Sequence, residues 1–302
     1  MTFVLDAVLN AKSGCGGGYD VFAGLPIYFY LTQRLGKTCH LASYSFTVRR
    51  TLEEAGSELI GPHCFKVKRG DQCDLESTYF PELQLSRALF DEIGSEVPVF
   101  TFGVEAMFAG TIQGLRSFYG AVQADTQFDC LLVVDAGTDS LLAGDEQERG
   151  TWFEEISTLL AVRHFECPKF LITVGFNIDA AHDVTDASFL RAVAALSSQG
   201  AFLGGFFLTK SQDFTQKFMA VFDKCTPSRS IVNSLIVAAI NGVVGNVTPA
   251  HLKDRLGADG NKLFISPLMA MLWLFDFDAV YNRLKYIKDD SVTVPTLLSD
   301  QK

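Results

Sequence analysis

The chain has 302 residues, 48% of them hydrophobic, with 35 acidic side chains against 25 basic ones and a formal net charge of −10. That length suits one large α/β domain or two average ones, and the apolar content excludes disorder over most of it. The negative balance repels polyphosphate and anionic lipid on average, so neither nucleic acid nor a membrane surface is expected as a partner.

Seven cysteines, an odd number without a C-x-x-C pair, suit reduced thiols. The start carries Asp6 and has neither a basic n-region nor a small-residue cleavage site, which together with the thiols predicts a cytoplasmic protein. The longest apolar stretches, 231–247 and 263–277, are interrupted by Asn233, Asn241, Pro267 and Asp276. They read as core elements rather than membrane spans.

Along the chain, short apolar runs alternate with segments of helical period, the pattern of βαβ units. It predicts a doubly wound, mainly parallel, Rossmann-like sheet within one α/β domain over 1–288. Strands are expected at 38–46, 97–102, 130–135 and 170–175. Helices are expected at 24–35, 81–93, 104–122, 151–164, 187–198, 212–223, 227–243 and 277–286. Thr151 and Glu154 have capping-box spacing, Thr226-Pro227 reads as a helix start and Gly36 as a helix stop. Residues 47–79, charged and without clear period, read as a partly irregular insertion, and 289–302 as a polar tail.

The first constellation with chemistry is Gly14-Cys15-Gly16-Gly17-Gly18-Tyr19-Asp20. Such a run turns sharply, exposes backbone N–H groups and admits an anion where a Cβ would block it, so Gly16, Gly17, Gly18 and Asp20 are candidate ligand contacts. A close-packed turn is the alternative. Tyr19 stands where a dinucleotide fingerprint needs glycine, no acid follows about 20 residues on, and no Gly-Lys-Ser/Thr completes a phosphate-binding loop, so NAD and FAD are not expected.

The second constellation runs from Val133 to Glu146: an apolar strand ends in Asp135, and Asp139, Asp145 and Glu146 follow. Carboxyl ends of parallel strands are where open α/β sheets bind ligands. The oxygen-only donor set suits Mg²⁺ or Ca²⁺, with Asp135, Asp139, Asp145 and Glu146 as candidate metal ligands and Gly137 and Ser140 as candidate ligand contacts. A solvated acidic loop is the alternative.

The third, Gly175-Phe176-Asn177-Ile178-Asp179, ends another apolar strand and would bring Asn177 and Asp179 to the same edge. His182 nearby offers an imidazole, although a lone histidine there also reads as a polar loop residue. Fourth, Ser230, Ser234, Ala238 and Asn241 recur at helical spacing behind Arg229, which at a helix start could meet an anion; ordinary exposure of a weakly polar face is the alternative.

Taken in order, Gly-Gly-Gly-Tyr-Asp-Val, V-V-D-A-G-T-D-S-L-L-A-G-D-E, G-F-N-I-D, S-R-S-I-V-N-S-L-I-V-A-A-I-N-G and I-S-P-L-M resemble the uncharacterised DUF1152 family over almost the whole chain. The resemblance implies a single Rossmann-like unit with a ligand site and carries no biochemical function. Asn10-Ala11-Lys12-Ser13 departs from it, being a poor apolar strand where the family has a buried one.

The expected function is a metal-assisted hydrolase or transferase, not an oxidoreductase, acting on a phosphorylated or ribosyl-containing metabolite. Asp135, Asp139 and Asp179 would be the catalytic acids. The alternative is a non-catalytic nucleotide-binding or sensor protein, which needs the glycines but not the acids. Either way the expected partner is a small anionic metabolite or nucleotide.

Overall fold

The computed structural model describes residues 1–8, 19–44, 46–103, 112–144, 146, 153–225, 230–249, 252–253 and 263–285. For residues 2–8, Asp20, 153–154 and His182 it describes the backbone alone.

The strands are β1 (Thr2–Val8), β2 (Thr38–Tyr44), β3 (Glu58–Gly61), β4 (Cys64–Val67), β5 (Val99–Phe102), β6 (Cys130–Asp135), β7 (Lys169–Thr173), β8 (Phe202–Phe207) and β9 (Met271–Asp276). The helices are α1 (Leu25–Phe29), α2 (Arg49–Glu54), α3 (Pro81–Ile93), α4 (Ile112–Thr126), α5 (Phe153–Val162), α6 (Asp186–Ser198), α7 (Asp213–Asp223), α8 (Ile231–Ile240) and α9 (Phe277–Arg283). The strands lie in the order β3-β4-β5-β2-β1-β6-β7-β9-β8.

The pleat sorts the apolar side chains onto two faces. Cys39, Leu41, Leu132, Val134 and Ile172 point to one core with α1, α3, α7 and α8. Ala42, Phe100, Leu131, Val133, Leu171 and Trp273 point to the other with α4, α5, α6 and α9. Because β6 is buried on both faces, each of its Leu and Val side chains contributes roughly 1.5–3 kcal/mol of burial. The chain is therefore an α/β protein in which helices cover both faces of one sheet.

The expectation of a mainly parallel sheet needs correction, because the sheet is mixed. β5–β2, β2–β1, β1–β6 and β6–β7 pair parallel, whereas β3–β4, β4–β5, β7–β9 and β9–β8 pair antiparallel. The extra strands come from segments without a readable period. Residues 47–79, expected to be irregular, contain α2 and the β3–β4 hairpin, which extends the sheet beyond β5.

At the other edge, β8 reads Phe-Leu-Gly-Gly-Phe-Phe and was hidden by its glycines. Gly204 takes a φ of +107° at a register shift, and a Cβ on Gly205 would lie 2.2 Å from the Leu272 carbonyl oxygen, so close strand contact requires glycine there. The first strand lies at Thr2–Val8, ahead of the polar 10–13 segment that argued against one.

Other boundaries shifted modestly. Of the expected 227–243 helix, Ile231–Ile240 is helical, capped by Ser230, whose hydroxyl accepts from the Asn233 N–H at 3.1 Å. A π-helical turn, Tyr30–Arg34, continues α1, and Gly36 stands just beyond it at φ +60°, as a helix stop should. The 151–154 capping box, the 226–227 helix start and the 289–302 tail lie outside the described residues or side chains. No helix among the described residues is long and apolar enough to cross a membrane.

Candidate metal centre

The ends of β1, β6 and β7 are level: Val8 pairs with Asp135, and Asp135 with Thr173. Asp135 completes the Leu131–Val133 side of the β6 alternation and so faces the α5 layer. The chain then turns through Ala136-Gly137-Thr138 into a 3₁₀ turn, Asp139–Leu141, which returns Asp139 to the same place. From above, α5 contributes Glu155. One oxygen from each of Asp135, Asp139 and Glu155 lies within 4.8 Å of the others, and all three residues are buried to 1% exposure or less.

Asp179 adjoins this cluster. It lies in the 3₁₀ turn after β7, Ile178–His182, and its Oδ2 accepts from Thr138 N–H at 2.6 Å and from Thr138 Oγ1 at 2.8 Å. Ser140 serves Asp135 in the same way, donating Oγ to Oδ2 at 2.5 Å and its N–H at 3.3 Å. These local bonds set the rotamers of both carboxylates.

Burial, first, and the negative charges of Asp139 and Asp179 push the Asp135 carboxyl well above the usual carboxylate range, and the two bonds from Ser140 only partly oppose this. Each ionised pair at such separations repels by on the order of 3 kcal/mol at an effective dielectric of about 20. Buried carboxylates at this spacing call for neutralisation, and the three together could hold a cation. An all-oxygen set of Asp and Glu suits a hard divalent ion.

Of the residues expected at the site, Asp135, Asp139, Asp179, Gly137 and Ser140 converge. Asn177 and Glu146 are engaged elsewhere. Asn177 stands at φ +75°, donates Nδ2 to Asp186 at 2.7 Å and accepts from the Phe264 N–H at 2.8 Å, which makes it a clamp between the start of α6 and the segment before β9. Glu146 accepts from the N–H groups of Ala143 and Gly144 at 2.8 and 2.7 Å, closing its own turn. Gly16, Gly17, Gly18, Asp145 and Arg229 lie outside the described residues, as do the side chains of Asp20 and His182.

Sequence reasoning missed Glu155. The available signal was its setting: Glu155 stands in a largely apolar helical segment, and every side chain described there, from Glu155 to Val162, is buried. A carboxylate there needs a partner inside the protein.

Compared with known proteins, this chain matches no family model, no curated protein and no solved structure.

Proposed function

We propose that the buried acids bind a divalent cation, Mg²⁺ or Ca²⁺, and that the protein is a metal-assisted hydrolase or transferase acting on a phosphorylated or ribosyl-containing metabolite. The observation that carries this reading is the convergence of Asp135, Asp139 and Glu155 within 4.8 Å from three separate elements. The cation would neutralise carboxylates that otherwise repel one another and would polarise a phosphoryl oxygen or a water. Asp179, whose Oδ2 is held by Thr138, would orient or deprotonate a water through its other oxygen.

The fold supports the same place. We read β5-β2-β1-β6-β7 as a doubly wound, Rossmann-like centre whose order reverses at β1, in keeping with the resemblance to the DUF1152 family. Its switch point lies between the carboxyl ends of β1 and β6, of which the first precedes the glycine run in sequence and the second ends in Asp135. Gly16, Gly17 and Gly18 would then hold the anionic part of a small metabolite or nucleotide. Among the described residues, Cys39, Cys64, Cys73, Cys130, Cys167 and Cys225 form no disulfide, which suits a cytoplasmic setting. A second reading, a non-catalytic sensor, is favoured by the near-complete burial of the acids, since a closed cation site suits ligand retention.

Isothermal titration of the purified, chelator-treated protein with MgCl₂ and CaCl₂ tests the cation. Saturable binding that Asp139→Asn abolishes supports the reading, and absence of binding by the folded parent overturns it. Turnover of a panel of phosphate esters and nucleosides by the loaded protein then separates enzyme from sensor.

A further inference from the structure

We infer that the space between α5 and the carboxyl ends of β6 and β7 holds an oxygen ligand beside the cation, received by Thr173 and Thr158. This rests on the cation reading of the acidic cluster and goes beyond it by assigning the polar groups that flank the acids.

The register places these groups. Asp135 pairs with Thr173, and Thr173 with Trp273, so three side chains from adjacent strands form one row on one face of the sheet. Trp273 belongs to the core on the α5 side, which fixes that face. Thr158 is one helical turn beyond Glu155 on α5 and shares its buried face.

Thr173 Oγ1, Thr158 Oγ1 and Trp273 Nε1 are all buried and have no hydrogen-bond partner among the described residues. Buried polar groups are ordinarily satisfied, and an unsatisfied one calls for a reason. Thr173 is the strand neighbour of Asp135 and Thr158 stands one helical turn from Glu155, so two of these groups flank the acidic cluster, and both hydroxyls can donate, whereas the Trp273 ring packs among Phe176, Phe189 and Phe202. The acceptor that also suits a divalent ion is an oxygen with several lone pairs, either a water of the ion's shell or an oxyanion oxygen of phosphate type. Thr173 and Thr158 are thus positioning residues that orient this oxygen relative to the ion.

The test is the full chain carrying Thr173→Val, which keeps the shape and removes the hydroxyl. Melting temperature is read without cation, with MgCl₂, and with MgCl₂ plus inorganic phosphate. Without cation the variant should melt no lower than the parent, because its hydroxyl has no protein partner to lose. A Mg²⁺-dependent shift reduced to half or less assigns the oxygen to the ion's water. Loss confined to the additional shift given by phosphate assigns it to the oxyanion.

Shifts equal to the parent's in both arms would overturn the inference and leave the cation reading intact, as would a lower melting temperature without cation. A parent that shows no shift with Mg²⁺ or Ca²⁺ would fail the cation reading, and this inference with it. Thr173→Ser, which restores the hydroxyl, should restore the shift. If Thr173→Val does not fold, Thr158→Val is read by the same criteria.

Discussion

Asp135 and Asp179 face each other across the Cα of Gly137: a Cβ there would stand 3.0 Å from Asp135 Oδ1 and 3.0 Å from Asp179 Oδ2. A carboxylate from the end of β6 and one from the 3₁₀ turn after β7 approach because the residue between them has no side chain. The glycine fits the close approach rather than an unusual backbone angle, since its φ is not among the positive ones.

Gly137→Ala should therefore press on two buried carboxylates that Thr138 and Ser140 already hold in place. Overpacking of this kind costs about 1–3 kcal/mol, to be read as a lower chemical-denaturation midpoint. Gly120→Ala is the control. Its Cβ would meet nothing within 4 Å inside α4, so helix propensity should raise stability by up to about 1 kcal/mol. Equal effects of the two substitutions would show that Gly137 is not sterically required.

Asp135→Asn should remove that residue's share of the pH dependence of the cation-free protein. The folded pKa of Asp135 is raised above its unfolded value, so the folded state retains a proton that the unfolded state has released. Between the ordinary Asp range near 4 and the raised value, stability falls as pH rises, by at most about 1.4 kcal/mol per pH unit for one proton. In EDTA at neutral pH the Asn variant should melt above the parent, and with saturating Mg²⁺ the order should invert. A variant less stable than the parent in EDTA would show that the bonds from Ser140 outweigh burial and repulsion at Asp135.

Asn177 tests whether it is a ligand contact or a clamp. Its side chain joins Asp186 to the Phe264 backbone, and its φ of +75° is one that Asn and Gly tolerate better than Ala. Asn177→Ala should cost about 2 kcal/mol through lost hydrogen bonds and backbone strain, and Asn177→Gly less. Both should keep the parent's cation affinity. Reduced affinity in a well-folded Gly variant would return Asn177 to the site.

The contrast between these residues shows what the sequence could convey. The central strands were legible because β2, β5, β6 and β7 are apolar runs closed by turn residues, and Asp135 stands out at the end of the most apolar of them. The edges were not. β8 depends on Gly205 lying against the Leu272 carbonyl, a tertiary requirement that locally looks like a turn, and β3 and β4 are short strands in charged surroundings. The site divided along the same line. Asp135, Asp139 and Gly137 are neighbours in sequence, whereas Glu155 enters only through the packing of α5 on the sheet.

Glu155 and Glu146 therefore make the sharpest comparison, because sequence proximity favours Glu146 and geometry favours Glu155. Glu146 accepts two backbone N–H groups of its own loop, and a Gln there can still accept one of them. Glu146→Gln should lose some stability, on the order of 1 kcal/mol, and leave Mg²⁺ or Ca²⁺ affinity within a factor of two. Glu155→Gln keeps volume on the buried face of α5 but removes one of three charges around the ion, so affinity should fall by roughly tenfold or more, about 1.4 kcal/mol at least. In EDTA the same change relieves repulsion from Asp135 and Asp139 and should leave the protein as stable as the parent or more so. Calorimetric titration of both variants beside their denaturation curves reads all four quantities. The reverse pattern, with Glu146→Gln losing the ion and Glu155→Gln retaining it, would move the metal centre out to the acidic loop and leave Glu155 as a buried partner within the core.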